Sequence, residues 1–328
     1  MSAITILKYR RGKSIICFSN QIIIMEWEQI KIMSTSLPKL SKKRLGRTNL
    51  EVTSLSLGGA GLGRNDITDD QAIEAVHRAI ELGINYLDTA PLYGDGKSER
   101  RVGLALSGGW RKKVYLATKT GTHPQWSGDY SASGTRRSVE NSLRLLKTDY
   151  LDVCLVHDPV SMEPVVAKGG ALDELQRMRE EGLIHFIGLG VRQHEFHKVA
   201  IETGVVDIIL TYLDYTLLNQ SASKTLMPIA EKNDIGIING SPIAMGLLSS
   251  VEPDPNTHYP DGERAHKLWC WARENNLNLL DLAIQFCLRQ PLIDTSLTGS
   301  KNVSEVEQNY IAATTEIPNE VWNRIPNI

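Results

Sequence analysis

The sequence predicts an α/β protein folded as a closed (β/α)8 barrel of the TIM class, with an N-terminal β-hairpin closing the barrel floor. Three observations lead there. Eight short apolar runs alternate with amphipathic helical stretches, and eight units suit closure better than an open sheet. Several of these runs stop at a reactive polar residue, as strands do at the mouth of a parallel barrel: NYLDTAPLYG from Asn85 supplies Asp88 and Tyr93, VYLATKTG from Val114 supplies Lys119, and YLDVCLVHD from Tyr150 supplies His157. The third is an absence. The GGAGLG run from Gly58 only loosely matches the Gly-x-Gly-x-x-Gly of a doubly wound dinucleotide-binding sheet, so it reads as a permissive turn.

Taken in order, KRLGRTNLEVTSLSLGG from Lys43 opens with two short alternating pieces around Arg47, Thr48 and Asn49, a hairpin signal, and runs into the first buried strand, ending at Gly58 and Gly59. Helical periodicity follows over 69–82, then a strand near Tyr86, a helix over 98–106 and a strand at Val114. The pattern continues with a helix over 136–146, the strand at Leu151, a helix over 172–181 and the strand HFIGLGV from His185. DIILTY from Asp207, IGIING from Ile235 and DTSLTG from Asp294 complete the eight.

Residues 1–42 are expected to be an extension without functional residues, disordered or upstream of a true start at Met25 or Met33. Lys8, Arg10, Arg11 and Lys13 precede the apolar stretch IICFSNQIIIM from Ile15, but Ser19, Asn20 and Gln21 interrupt it, and it is too short to span a bilayer. Residues 43–328 form the barrel domain. With 328 residues, 41% of them hydrophobic and 23% charged, the chain is long enough to bury one full core. A net charge of -2 gives no electrostatic claim on nucleic acid or membrane, so the expected partner is a small molecule. Cys17, Cys154, Cys270 and Cys287 lie far apart with no metal-ligand spacing, which fits a reducing, cytoplasmic setting and no metal.

A phenol, an ammonium, a carboxylate and an imidazole on neighbouring strand ends form a proton-transfer site in outline. Singly, each has a duller account: Tyr93 a loop tyrosine, Lys119 a solvated strand end, Asp88 a turn cap, His157 a satisfied polar residue. Together, on one barrel face, they argue for catalysis.

The hairpin sequence, DTAPLYG, ATKTG, SVENSLRLLKTDYLDVCLVHD and SPIAMGLL, in that order, resemble the aldo-keto reductase superfamily over about residues 43–313. DIILTYLDYTLLN and INGSPIAMGLLSS are most similar to the branch holding the L-galactose, L-fucose and D-threo-aldose 1-dehydrogenases. The resemblance implies an NAD(P)-dependent oxidoreductase in which Tyr93 is the general acid or base, Lys119 paired with Asp88 pulls the phenol's pKa down from about 10, and His157 orients the substrate oxygen. Hydride then passes directly, without a metal.

The same resemblance implies cofactor contacts at Gly59, Asp88, Gly190, Ser241, Ile243, Met245, Leu247, Gly299, Ser300, Glu305, Gln308 and Asn309. Two departures stand out. Gly190 and Val191 occupy the places where many members put a carboxamide-binding serine and asparagine, and Gly240 stands where an aromatic stacks on the nicotinamide, leaving Tyr215 or another ring to fill that space. Glu305, with Lys301 as the only nearby cation, favours NAD over NADP, because a carboxylate repels a phosphate and accepts hydrogen bonds from a ribose; the duller reading is a first-turn helix acid.

For the substrate, Trp126 and Tyr130, with His123, are expected to make a ring-stacking wall for a sugar, and Asp158 or Asp214 to bind its hydroxyls. The leading expectation is oxidation of an aldose at C1 to the lactone by a monomer or weak homo-oligomer. The alternatives are a general NADPH-dependent aldehyde or ketone reductase and a cofactor-binding regulatory subunit.

Overall fold

A computed structural model describes residues 5–9, 13–18, 21–26 and 38–326, in two compact units, Met1–Lys39 and Leu40–Ile328. In the first unit, β1 (Thr5–Tyr9), β2 (Lys13–Phe18) and β3 (Gln21–Glu26) pair antiparallel in that order. The isoleucine-rich runs IIC and IIIM supply the β-branched residues that favour strands there.

The second unit begins with β4 (Lys42–Arg44) and β5 (Glu51–Thr53), an antiparallel hairpin in the register Lys42 to Thr53. Its turn is a 3-10 segment, Gly46–Thr48, closed by Asn49 in the left-handed region, where asparagine is tolerated. Eight parallel strands follow and close on themselves: β6 (Leu55–Gly58), β7 (Tyr86–Asp88), β8 (Tyr115–Thr120), β9 (Leu151–His157), β10 (Ile184–Gly190), β11 (Ile208–Tyr212), β12 (Gly236–Gly240) and β13 (Thr295–Gly299). All eight strands read from the sequence are present.

One main helix follows each strand: α1 (Asp69–Glu81), α2 (Lys97–Leu106), α3 (Ala132–Leu146), α4 (Ala171–Glu180), α5 (His194–Glu202), α6 (Met227–Lys232), α7 (Leu279–Leu288) and α8 (Val303–Thr314). Local chemistry sets where they begin. Thr68 and Gln71 form a reciprocal capping box on α1, and Ser131, Asn278 and Asn302 accept amide hydrogens at the starts of α3, α7 and α8. An extra helix, Gly262–Glu274, sits in the long connection before α7. No helix among the described residues is long and apolar enough to cross a membrane.

The strands are buried on both faces, which is why they read as continuous apolar runs rather than alternating ones. Leu57, Leu87, Leu116, Val156, Ile187, Leu189 and Ile209 pack outward against the helices. Tyr86, Ala117, Val153, Leu155, Ile208, Leu210, Ile238 and Leu297 fill the interior together with Leu45 and Val52 of the hairpin. Leu45 thus plugs the floor. The approach is close enough that a Cβ at Gly46, whose φ is +47°, would lie 2.1 Å from the Gly236 amide nitrogen, so glycine is required there.

Continuing the period of two, the last inward position of each strand is Gly58, Asp88, Lys119, His157, Gly190, Tyr212, Gly240 or Gly299. Four glycines and four functional side chains therefore ring the mouth.

Leu45→Ala should cost about 2–5 kcal/mol of unfolding free energy, since it empties a fully buried site held between two sheets. Urea denaturation checks this, and a loss below about 1 kcal/mol, the worth of roughly one buried methylene, would deny the plug its role.

Candidate active site

Asp88, Lys119 and His157 are carried by the ends of β7, β8 and β9, which are neighbours in the barrel. Tyr93 arrives from the loop after β7, turned back by the Tyr93 amide hydrogen bond to the Ala90 carbonyl at 3.1 Å and by Gly94 with φ +64°. A side chain at Gly94 would strike the Gly63 carbonyl oxygen at 2.0 Å, so the β6 and β7 loops meet only because both residues are glycine.

The Lys119 ammonium forms an ion pair with Asp88 Oδ1 and donates to the Thr89 carbonyl at 2.7 Å, with both side chains all but excluded from solvent. The same ammonium lies 4.8 Å from the centre of the Tyr93 ring. The Tyr93 and His157 rings meet edge to face, their centres 6.2 Å apart. The four side chains singled out in the sequence are therefore together at one barrel mouth.

Burial lowers the Lys119 pKa, but Asp88 and Tyr93 more than offset this and the net shift is upward, so Lys119 is charged. Burial lifts the Asp88 carboxyl above its ordinary range against the pull of Lys119. For Tyr93 the sequence expectation is corrected. Burial raises the phenol above 10, with Asp88 and Asp158 adding to it, and the attraction of Lys119 does not reverse the shift. Tyr93 is a protonated phenol at neutral pH.

His157 is held by three contacts: its Nδ1 is 2.8 Å from Thr122 Oγ1, its Nε2 is 3.3 Å from Asp158 Oδ2, and its carbonyl accepts from the Tyr130 hydroxyl at 2.8 Å. Burial, and secondarily Lys119, push its pKa well below 6.5, so the ring is neutral. With Nδ1 accepting from the Thr122 hydroxyl, the ring proton is on Nε2.

Several other expected site residues turn out to be engaged elsewhere. Tyr130 is 4% exposed and spends its hydroxyl on the His157 backbone, so it supports the imidazole and offers no face to a sugar. Trp126 stacks on His123 at 3.4 Å, and the Arg137 guanidinium lies 4.3 Å from its ring centre. Two groups cannot share one face at those distances, so both faces of the indole are covered and the sugar wall is withdrawn. Asp214 is buried among Arg192, His194, Thr211 and Asn219. Asp158, by contrast, is only half-buried and stands beside His157.

Tyr215 is likewise corrected as a nicotinamide platform. It is buried in the outer layer, stacked on Phe286 of α7 and hydrogen bonded to Gln290. Gly59 is a packing glycine, since a Cβ there would sit 2.7 Å from Ser98 Oγ. Glu305 closes the start of α8: its carboxylate accepts from the Lys301 amide at 3.0 Å and its own amide donates to Asn302. Its carboxylate is thereby occupied in capping, which removes the ground for preferring NAD.

Ser300 is buried and accepts from Asn309 at 3.0 Å, while Gln308 is exposed and donates to Ser304. In the loop after β12, Ser241, Ala244 and Met245 all have positive φ, and Ser241 Oγ accepts from the Met245 amide. Ile243 and Leu247 pack against the cluster around the helix Gly262–Glu274, and Met245 is exposed.

Room for a flat heteroaromatic ring exists where the mouth is lined by glycine. A Cβ at Gly299 would meet nothing within 4 Å, one at Gly190 only ordinary contacts from 3.6 Å, and Asp88 Oδ2 is buried without a protein partner. These features, with the start of α8 nearby in sequence, fit a nicotinamide at the strand ends and its phosphates over β12 and β13. Tyr212 and Thr122 were not singled out in the sequence. Tyr212 is the last inward residue of an apolar run, the same signal that marked Lys119 and His157.

The aldo/keto reductase family matches residues 54–328. The chain belongs to that family. It is 33% identical to the L-galactose dehydrogenase of Arabidopsis thaliana over 86% of this chain and 90% of that one, and 29% identical to the D-threo-aldose 1-dehydrogenase of a Pseudomonas species over 83% and 93%. Among solved structures, an aldo-keto reductase from Bacillus halodurans in its holo form superposes with a TM-score of 0.74 at 26% identity, covering 87% of this chain and 94% of that one. A Klebsiella pneumoniae member in complex with NADPH shares the fold, with a TM-score of 0.71 at 21% identity over 88% and 94%. This aldo/keto reductase is an NAD(P)-dependent oxidoreductase acting on small molecules.

Because His157 is neutral in the fold with a lowered pKa, its contribution to stability is complete above pH 6.5 and is lost as pH falls below it, where the unfolded chain takes up the proton more readily. The urea midpoint should therefore drop between neutral pH and about pH 5, less steeply in His157→Asn. Equal slopes for the two proteins would show that His157 is not kept neutral.

Proposed function

We propose that this aldo/keto reductase oxidises an aldose at C1 to the corresponding lactone, with Tyr93 as the general base. The single observation that carries the reading is the convergence of a buried ion pair, a phenol and a neutral imidazole at one barrel mouth. Two relatives alike over most of the chain act on aldoses by name, which supports aldoses as the substrate class.

The C1 hydroxyl is placed between the Tyr93 phenol and His157 Nε2. The proton on that hydroxyl passes to the Tyr93 oxygen in its phenolate form, whose charge Lys119 offsets, and His157 keeps the oxygen aimed through a hydrogen bond. A bound nicotinamide supplies the hydride acceptor, or the donor when the reaction runs in reverse. Asp88 keeps Lys119 charged and in place. Thr122 keeps the His157 ring in one tautomer and one orientation, and the Tyr130 hydroxyl anchors the His157 backbone carbonyl.

A second reading, reduction of aldehydes or ketones, is favoured by one feature: a phenol raised above its ordinary value is a ready proton donor at neutral pH. The two directions separate on pH. Oxidation needs the phenolate, so its rate should climb from neutral pH to 10 without levelling off, whereas reduction should stay flat over that range. An oxidation profile that plateaus near neutrality would place the base elsewhere.

An absorbance screen of pentoses, hexoses and simple aldehydes with each nicotinamide cofactor tests substrate class and direction together. Tyr93→Phe should lower kcat by roughly 100- to 10,000-fold while the dissociation constant of the cofactor, read by fluorescence, stays within about twofold. Retained turnover would remove Tyr93 from the chemistry.

A further inference from the structure

Tyr212 is the last inward residue of β11, and its hydroxyl donates to Asp158 Oδ1 at 3.1 Å. Asp158 follows β9, and β10 lies between β9 and β11, so this hydrogen bond crosses the end of β10. It passes over Gly190, which has no side chain to block it and whose carbonyl accepts from the Asp158 amide at 2.9 Å. The neighbouring strand contributes as well: a Cβ at Gly240 would lie 2.8 Å from Tyr212 Cβ, so glycine there gives the tyrosine its room. Asp158 itself holds φ +41°, in the left-handed region that aspartate tolerates better than most residues.

The other carboxylate oxygen, Oδ2, is 3.3 Å from His157 Nε2, and the side chain is 36% exposed at the mouth. Oδ1 accepts from Tyr212, and Oδ2 keeps lone pairs for a further donor. Tyr212 is within electrostatic reach of Tyr93. None of the proton-transfer chemistry above uses either residue.

Resting on the proposed function, we infer that the Tyr212–Asp158 pair selects substrates bearing a hydroxyl on the carbon next to the reacting one. A substrate oxygen bound to His157 Nε2 sits next to Asp158 Oδ2, and vicinal oxygens lie within hydrogen-bonding distance of one another, so the neighbouring hydroxyl donates to that carboxylate. The selected class is the aldoses in oxidation and the 2-hydroxy aldehydes in reduction. Asp158 is the substrate contact. Tyr212 is a positioning residue that holds Oδ1 so that Oδ2 faces the site.

The test compares kcat/KM for an aldose that the wild type turns over with its 2-deoxy analogue, and for glycolaldehyde with acetaldehyde, in wild type, Asp158→Asn and Tyr212→Phe. The wild type should favour the hydroxylated member of each pair by about 10- to 100-fold, carried mainly by KM. Asp158→Asn should abolish most of that preference, and Tyr212→Phe should reduce it by about 3- to 10-fold. Being ratios within one protein, these values do not depend on the fraction that folds, and if one variant fails to fold the other still reads the pair.

A wild type without the preference, or variants that lose activity equally on both members, overturns the selection role and leaves the proposed function standing. A wild type that turns over no member of either pair with either nicotinamide cofactor overturns both.

Discussion

The ion pair between Lys119 and Asp88 is the constraint around which the barrel mouth is built. Two opposite charges with essentially no solvent contact are tolerable only as a pair, because removing one partner strands the other at a cost of about 3–5 kcal/mol. Their positions as final inward residues on adjacent strands let them meet without leaving the barrel wall, and the Thr89 carbonyl takes a further hydrogen of the ammonium. The charged amine then acts on everything within reach. Its charge favours the ionised form of the Tyr93 phenol and so opposes burial there, and it adds to the burial that keeps His157 neutral. One buried cation thereby biases a neighbouring acid and a neighbouring base at the same time.

That constraint explains why the fold and the proton-transfer residues were readable in the sequence. A strand buried on both faces must be apolar throughout, so a charged or titratable residue at its end is conspicuous, and Asp88, Lys119 and His157 each break such a run. The hairpin was legible for a similar reason, since its apolar residues Leu45, Leu50 and Val52 all pack on the floor of the barrel. Tyr212 obeys the same rule, but a tyrosine closing an apolar run breaks the pattern less sharply than a charge does.

The loop aromatics were not legible, because nothing local decides which way a ring points. Trp126 looks like a sugar-stacking residue until Arg137, eleven positions on and one helix away, covers its second face. Tyr215 depends on Phe286 and Gln290, both more than 70 residues distant, and Glu305 on whether its carboxylate is spent on the amides that begin α8. Each of these is settled by a tertiary or capping partner that a composition of rings and acids does not disclose.

The sign of the Tyr93 shift bears on how this mouth divides the work of catalysis. If Lys119 had won over burial, more of the phenol would be ionised at a given pH. Because burial wins, the phenol keeps its proton, and the proposed oxidation draws on a minor phenolate population that Lys119 stabilises. An enzyme arranged this way gains more in oxidation from holding its substrate well than from a stronger base, since every productive encounter must wait for the ionised phenol. The half-buried carboxylate beside His157, oriented by Tyr212 across a strand end cleared by Gly190, is where such holding is available.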